Sequence, residues 1–226
     1  MSDVERLMSL AEMADYLKIT EERLRDLAES GGVPAIKDES QWRFMRSVVD
    51  DWLIGYMKKL PKDDLHRLVA SHGGAVSLRS LLRSELVTLS VRPGTKEQVL
   101  RQLVAPLTSG GLLTAAEEAR LVERLIDREE MVSTAIFAGA AIPHPRNPEE
   151  PLVKRPIVAL GVCPRGTEFD SLDMESTYVF FLVCAGNEML HLKLIAEIAL
   201  QLRKPRLVER LRAAPGPAQA LAELFE

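Results

Sequence analysis

Between Ser9 and Ile19 the apolar residues Leu10, Met13, Ala14 and Leu17 recur three and four positions apart, which puts them on one face of a short helix. Ser9 followed by Glu12 three residues later forms the capping box that starts such a helix. A second helix is predicted after Thr20, an N-cap residue followed by acids in the first turn, with Leu24, Leu27 and Ala28 facing inward and Gly31 as its stop. The segment "VPAIKDESQWRF" reads as two short strands around a polar Asp-Glu-Ser turn, and "RSVVDDWLIGYMKKL" as another helix. Helix, turn, helix, hairpin, helix is the order of a small winged-helix module.

From Lys58 to Ser77 the periodicity is interrupted by charge, a proline and a Gly-Gly pair. The expected organisation is a first module over residues 1–58, a linker over 59–79 containing a short helix around Leu65, Leu68 and Val69, and a second domain over 80–226. Within the second domain "ELVTLSV" is strand-like. "TKEQVLRQLVAPL" is a helix boxed by Thr95 and Gln98, with Val99, Leu100, Leu103, Val104 and Leu107 as its buried stripe. "TAAEEARLVERLIDREE" is another, boxed by Thr114 and Glu117, burying Leu121, Val122, Leu125 and Ile126. Strands are predicted at "STAIF", "PIVALGVC" and "TYVFFLVC", a long helix at "EMLHLKLIAEIALQL", and C-terminal helices after Pro205 and Pro217. The fold class is α/β: a small winged helix-turn-helix followed by an α/β sandwich with a mixed sheet flanked by helices.

Composition narrows the class of partner. The 226 residues are 46% hydrophobic with a formal net charge of -4, and charges of both signs are mixed along the chain. Nothing global marks a nucleic-acid coat or a polybasic membrane anchor. Cys163 and Cys184 lie in apolar strand-like runs without C-x-x-C spacing, which reads as buried free thiols in a reducing compartment. The first residues carry acids where a signal peptide needs basic ones, and the longest apolar run, "YVFFLVCAG", is far too short to span a bilayer. A cytoplasmic protein with no membrane contact is expected.

Chemistry concentrates around "AIPHPR", residues 141–146. Pro143 and Pro145 steer Ile142 and His144 away from helix, so His144 sits on a stiff loop. Upstream, "DREEMVSTAIFAGAAIPHPR" supplies Arg128, Glu129, the hydroxyls of Ser133 and Thr134, and a small-residue stretch that admits close backbone approach. A neutral imidazole is nucleophilic near pH 7, and phosphoryl transfer asks mainly for in-line positioning with donors aimed at the equatorial oxygens. Arg128 offers the charge, and Ser133, Thr134 and backbone N–H groups offer hydrogen bonds. His191 stands on an apolar helix face with Ile195, Ile198 and Leu202, a setting equally suited to a core residue. The close ligand spacings of a zinc site are absent, and neither a metal nor a cofactor is expected.

In their order and spacing, "RE" (Arg128, Glu129), "ST" (Ser133, Thr134), "AIPH" ending in His144 and "HLKLIAEIA" beginning at His191 resemble the type 2 enzyme IIA domain of the bacterial phosphoenolpyruvate-dependent phosphotransferase system. This is the fructose and mannitol group with its nitrogen-related regulatory branch, and the likeness runs from about Ser80 to the C-terminus. The resemblance implies that His144 accepts a phosphoryl group from HPr or its nitrogen-branch analogue. It also implies that Arg128 and His191 form the phosphoryl pocket, with Ser133, Thr134 and Glu129 in support. A downstream IIB domain, regulatory protein targets and an oligomer are open on the sequence, and sugar transport by this chain alone is not expected. Two departures stand out: Pro145 replaces the glycine that usually follows "IPH", and Met174 stands where many members have glycine.

"SLAEMADYLKITEERLRDLAESGGVPAIK" and "WRFMRSVVDDWL" resemble the excisionase and MerR-like winged helix-turn-helix domains over residues 6–54, with Trp52 closing the core. That likeness implies DNA contacts from Arg23, Arg25, Lys37, Arg43 and Arg46. Residues 1–60, however, hold nine basic and twelve acidic side chains, the opposite of a DNA binder's basic footprint. Two readings therefore stand: a phosphoacceptor whose state is read out by the winged helix, and a DNA-binding transcriptional regulator whose IIA-like domain is a non-catalytic sensing, dimerisation or adaptor module.

Overall fold

The capping box at Ser9 forms: the Ser9 Oγ accepts the Glu12 N–H at 3.3 Å and the Glu12 carboxylate accepts the Ser9 N–H at 2.8 Å. It starts α1 (Leu10–Leu17), and Thr20 likewise caps α2 (Glu21–Glu29). These helices belong to the first of two units, Met1–Ser71 and His72–Glu226, in a computed structural model. The structure describes residues 7–57, 60–71, 76–135, 137, 139–146, 153–171 and 173–226.

In the first unit β1 (Leu7–Ser9), β2 (Ile36–Asp38) and β3 (Gln41–Met45) form an antiparallel sheet in the order β1-β3-β2, followed by α3 (Arg46–Met57) and α4 (Lys62–Ser71). β1 is an addition to the sequence reading. Three residues carry no periodicity of their own, and the strand exists because Leu7 to Ser9 find partners in Met45 to Arg43. The segment read as a linker contains α4, a helix of ten residues whose Leu65 is fully buried. Met13, Leu24, Phe44, Val49 and Met57 make the core, joined by a buried hydrogen bond from the Tyr16 hydroxyl to Asp50 at 2.7 Å. Trp52 does not close that core: it is half-buried and stacks on Tyr56.

The second unit starts with α5 (Leu78–Leu81), a 3-10 turn at Ser84–Leu86 and β4 (Val87–Thr88), so only two residues of the strand-like "ELVTLSV" pair. Then come α6 (Lys96–Ser109), α7 (Ala115–Met131), β5 (Ala140–Ala141), β6 (Ile157–Thr167), β7 (Thr177–Cys184), α8 (Glu188–Leu202), α9 (Leu207–Ala213) and α10 (Pro217–Phe225). The sheet order is β4-β6-β7-β5: β6 and β7 are antiparallel, while the short outer strands run parallel to their neighbours. α6 buries the predicted stripe, and its Leu103 packs directly over Gly161 of β6, where a Cβ would collide with it. α7 buries Leu121, Val122 and Leu125, whereas Ile126 is half-exposed.

The strand predicted at "STAIF" does not form among the described residues. The N–H of Thr134 goes to the Glu129 carboxylate and that of Ala135 to the Ser133 Oγ, so the segment satisfies its donors on side chains instead of a ladder. Met174, at the family's glycine position, adopts φ 59 and is 95% exposed. The turn there keeps a left-handed conformation that glycine would accept without strain. Because β5 runs parallel to β7, both carboxyl ends open at the same end of the sheet, where an α/β fold characteristically places its ligand site.

Candidate functional site

His144 lies three residues beyond β5. The Ile142 N–H donates to the Thr134 carbonyl at 3.2 Å and the Val183 N–H donates to the Pro143 carbonyl at 2.9 Å, so the loop stays laced to β7 although Pro143 offers no donor. His144 is 2% exposed, with its Nδ1 at 2.7 Å from the Ile142 carbonyl oxygen. A carbonyl only accepts, so the proton sits on Nδ1 and the lone pair on Nε2. Burial, the Arg128 guanidinium and His191 together hold the imidazole pKa well below 6.5, against a smaller opposing effect of the Ile142 hydrogen bond. The ring is neutral at pH 7, the protonation state of a nucleophile. Pro145, the departure from the family pattern, is buried beside it.

His191 occupies the first turn of α8 and is 2% exposed. Asn187 starts that helix by accepting the Leu190 N–H on its side chain at 2.9 Å. The two imidazoles lie 4.8 Å apart between centroids and are tilted by 54°. Two histidines far apart in the chain thus meet at the carboxyl end of β5 and β7.

Arg128, in the last turn of α7, is 2% exposed and donates from Nη1 to the Val132 carbonyl at 2.5 Å. Its charge reaches His144, which places it in the same cluster. Glu129 is also buried; its carboxylate accepts the Thr134 N–H at 2.8 Å and the Thr134 hydroxyl at 2.7 Å. Burial pushes the Glu129 carboxyl up, and the bonds from Thr134 and Ser133 and the charge of Lys96 pull it back. The Ser133 hydroxyl donates to the Phe169 carbonyl at 2.6 Å. Both hydroxyl protons are engaged within the protein, that of Thr134 by the Glu129 carboxylate and that of Ser133 by the Phe169 carbonyl. Lys96, which the sequence reading missed, donates to the Glu129 carbonyl at 3.3 Å and pairs with Asp170 at 2.6 Å. At the first position of α6 it looks like any exposed helix lysine, and no sequence signal marks it.

The cations expected to touch DNA come from α2, the hairpin and the start of α3. Arg25 is exposed on α2, while Arg23 is half-buried on the same helix. On the hairpin Lys37 is directly opposite Trp42, and Ile36 opposite Arg43. Directly opposed side chains share a face and neighbours alternate, so Lys37 and Arg43 point to opposite faces. The Lys37 Nζ sits 5.2 Å from the Trp42 ring centroid, and the Arg43 guanidinium donates to Gln41 at 2.7 Å. Arg46 opens α3 and is half-buried. Among the described residues no His, Cys, Asp and Glu side chains group as a metal site, and no helix is long and apolar enough to cross a membrane.

Residues 80–226 match the family described as "Phosphoenolpyruvate-dependent sugar phosphotransferase system, EIIA 2", and residues 7–55 match "Helix-turn-helix domain". A nitrogen regulatory protein of Bradyrhizobium diazoefficiens is 30% identical over 146 residues, 64% of this chain and 91% of that protein. The fructose-specific EIIABC component of Bacillus subtilis is 26% identical over 141 residues, which are 62% of this chain and only 21% of that longer protein. The crystal structure of nitrogen regulatory protein IIA-Ntr from Neisseria meningitidis aligns with a TM-score of 0.57 at 22% identity, over 66% of this chain and 99% of that one. At that identity the likeness speaks for the fold.

Proposed function

From the premise that this chain belongs to the type 2 EIIA family of the phosphoenolpyruvate-dependent phosphotransferase system and carries a helix-turn-helix domain, we propose that it is a cytoplasmic phosphoacceptor with a regulatory output. His144 takes a phosphoryl group from an HPr-like phosphocarrier protein. The observation that carries this reading is the buried, neutral His144, its Nδ1 engaged by the Ile142 carbonyl and its ring 4.8 Å from His191 beside Arg128.

The step needs little from the protein besides position and charge. The Nε2 lone pair attacks phosphorus in line, the bond between phosphorus and the carrier's leaving atom breaks, and that atom departs with the electron pair. Nδ1 keeps its proton and its hydrogen bond to Ile142. The arriving dianion is balanced by Arg128 and screened by His191, in a site where burial strengthens both effects. Ser133, Thr134 and Glu129 act as positioning residues, because their hydrogen bonds fix the loop between α7 and β5. The likeness to nitrogen regulatory proteins and the attached helix-turn-helix support a regulatory use of the phosphorylated state, in which the first unit acts on DNA or on a protein target.

The test is incubation of the purified chain with labelled phosphoenolpyruvate, enzyme I and the carrier. Wild type should acquire acid-labile label, His144→Ala none, and His191→Ala a reduced amount. Equal label on wild type and His144→Ala would overturn the proposal, and label retained by His144→Ala but lost by His191→Ala would exchange the two roles.

A further inference from the structure

A single ammonium group joins three segments that are far apart in the chain. Lys96 is the first residue of α6; its Nζ donates to the Glu129 carbonyl in the last turn of α7 at 3.3 Å and pairs at 2.6 Å with Asp170, in the connection from β6 to β7. It also lies 5.9 Å from the centroid of the Phe169 ring, which is buried and set edge-on against Phe180 of β7. Only 24% of the Lys96 side chain is exposed, so its charge acts where water screens it less than at an open surface.

Both partners of the ammonium bear on the site. The last carbonyls of a helix have no intrahelical donor and carry partial negative charge, so a cation at Glu129 closes off the end of α7. Arg128 precedes Glu129 in that turn, and its own Nη1 donates onward to Val132. Asp170 adopts φ 50, in the left-handed region, and the residues on either side of it are stitched to the loop between α7 and β5. The Ser133 hydroxyl donates to the Phe169 carbonyl at 2.6 Å, and the Ser171 hydroxyl shares its proton between the Ala135 carbonyl at 3.0 Å and the Asp173 carboxylate at 2.6 Å. A non-glycine residue persists in that conformation where its surroundings over-determine it. The ammonium thus holds the turn that bears Arg128 and Glu129 directly, and holds the Ser133–Ala135 segment through Asp170.

We infer that Lys96 is a positioning residue for phosphoryl transfer to His144, an inference that rests on the phosphoacceptor reading. It fixes the end of α7 from which Arg128 meets the arriving phosphoryl group, and it steadies Thr134, whose carbonyl accepts the Ile142 N–H at 3.2 Å and so registers the His144 loop. In-line displacement tolerates little misplacement of the groups around it, which makes such a brace visible in the rate.

The test measures phosphoryl transfer to the full chain from an HPr-like carrier already phosphorylated by enzyme I, alongside amide hydrogen exchange, which needs no phosphoryl group. Lys96→Met should lower the labelling rate at saturating carrier about tenfold and leave the half-saturating carrier concentration within about twofold. It should also speed exchange of the Thr134 and Ile142 amides about tenfold. Asp170→Asn, at a side chain that is 76% exposed, should slow labelling about threefold, and the double variant should be no slower than Lys96→Met alone, because the two residues act as one unit. Unchanged exchange in Lys96→Met would show that the brace holds nothing, and faster exchange with wild-type labelling would reduce it to a stability device. A change confined to the half-saturating concentration would make Lys96 a carrier contact, and additive effects in the double variant would separate it from Asp170. Each of these results would overturn the inference. If circular dichroism shows that Lys96→Met does not fold, Asp170→Asn decides: slowed labelling supports the brace and wild-type labelling refutes it. A labelled wild type with unaltered variants sinks this inference alone, whereas an unlabelled wild type sinks the phosphoacceptor reading and any transfer role of Lys96 with it.

Discussion

With Nδ1 bonded to the Ile142 carbonyl and its pKa held well below 6.5, chiefly by burial, His144 presents a neutral Nε2 without any base to deprotonate it. The same shift makes stability depend on pH with a definite sign. As pH falls below 6.5 the unfolded chain takes up a proton before the folded one, so the stability is whole above 6.5 and is lost on the way down to the depressed folded value. The slope from one such group reaches about 1.4 kcal/mol per pH unit. Glu129 acts oppositely: burial raises its pKa above 4.5, so its protonation adds stability as pH falls through the raised value. Urea unfolding of wild type and His144→Gln from pH 8 to 5 should therefore show a stability difference that shrinks as pH falls below 6.5, and a pH-independent difference would refute the assignment. Thr134 gives a second prediction at this scale. Thr134→Val keeps the shape but removes the hydroxyl bond to the buried Glu129 carboxylate. It should cost about 1–3 kcal/mol in urea unfolding and slow labelling of His144, and an unchanged unfolding midpoint would show that the bond is not needed.

The helix that brings His191 to the site is α8, and its start depends on one side chain. Asn187→Ala removes the cap on the Leu190 N–H and should cost about 1 kcal/mol. The first turn also carries His191, so labelling should slow toward the His191→Ala rate without stopping; normal labelling in the destabilised variant would separate His191 from that turn. Farther along, Lys193 donates to the Val76 carbonyl at 2.8 Å and Glu197 accepts the Leu78 N–H at 2.5 Å, fastening the segment that leads into α5. Elements like α6 and α7 were legible in the sequence because their signals are local: the Thr95–Gln98 and Thr114–Glu117 boxes form within a single turn and the stripes repeat within one helix. β1 was not legible, since its partners in β3 lie more than thirty residues away. "STAIF" misled for a related reason: its β-branched and aromatic residues suit a strand, but Glu129 and Ser133 capture its donors. At the site, the motifs marked His144 and His191 through resemblance. The Lys96–Asp170 brace had no signal, because it joins two exposed-looking positions from separate elements.

Over the whole molecule the charge distribution constrains what the first unit can do with a signal. The chain carries a net charge of -4, and on α2 the exposed side chains include Glu21, Glu22, Asp26 and Glu29 against Arg25. A helix presented to a major groove in that state would bring carboxylates to phosphates. The basic residues that remain are divided by the hairpin's pleat, with Arg43 on one face and Lys37 over Trp42 on the other. Few phosphates can then be neutralised together. Each contact contributes about 0.9 to the slope of log K against log salt, so the full chain should show a shallow slope of about 2 or less on duplex DNA. Arg43→Ala should lower it by about 1, and Lys37→Ala should leave it unchanged. The acids on α2 supply the decisive comparison, because Glu22 and Asp26 are one turn apart and share an exposed face. If α2 faces DNA, Glu22→Gln with Asp26→Asn relieves repulsion and tightens binding severalfold at low salt. We expect the paired substitution to leave DNA affinity unchanged and to weaken capture of a basic protein target, since a carboxylate-rich helix face is complementary to cations. Tightened DNA binding by the double variant would assign α2 to the groove and refute that expectation.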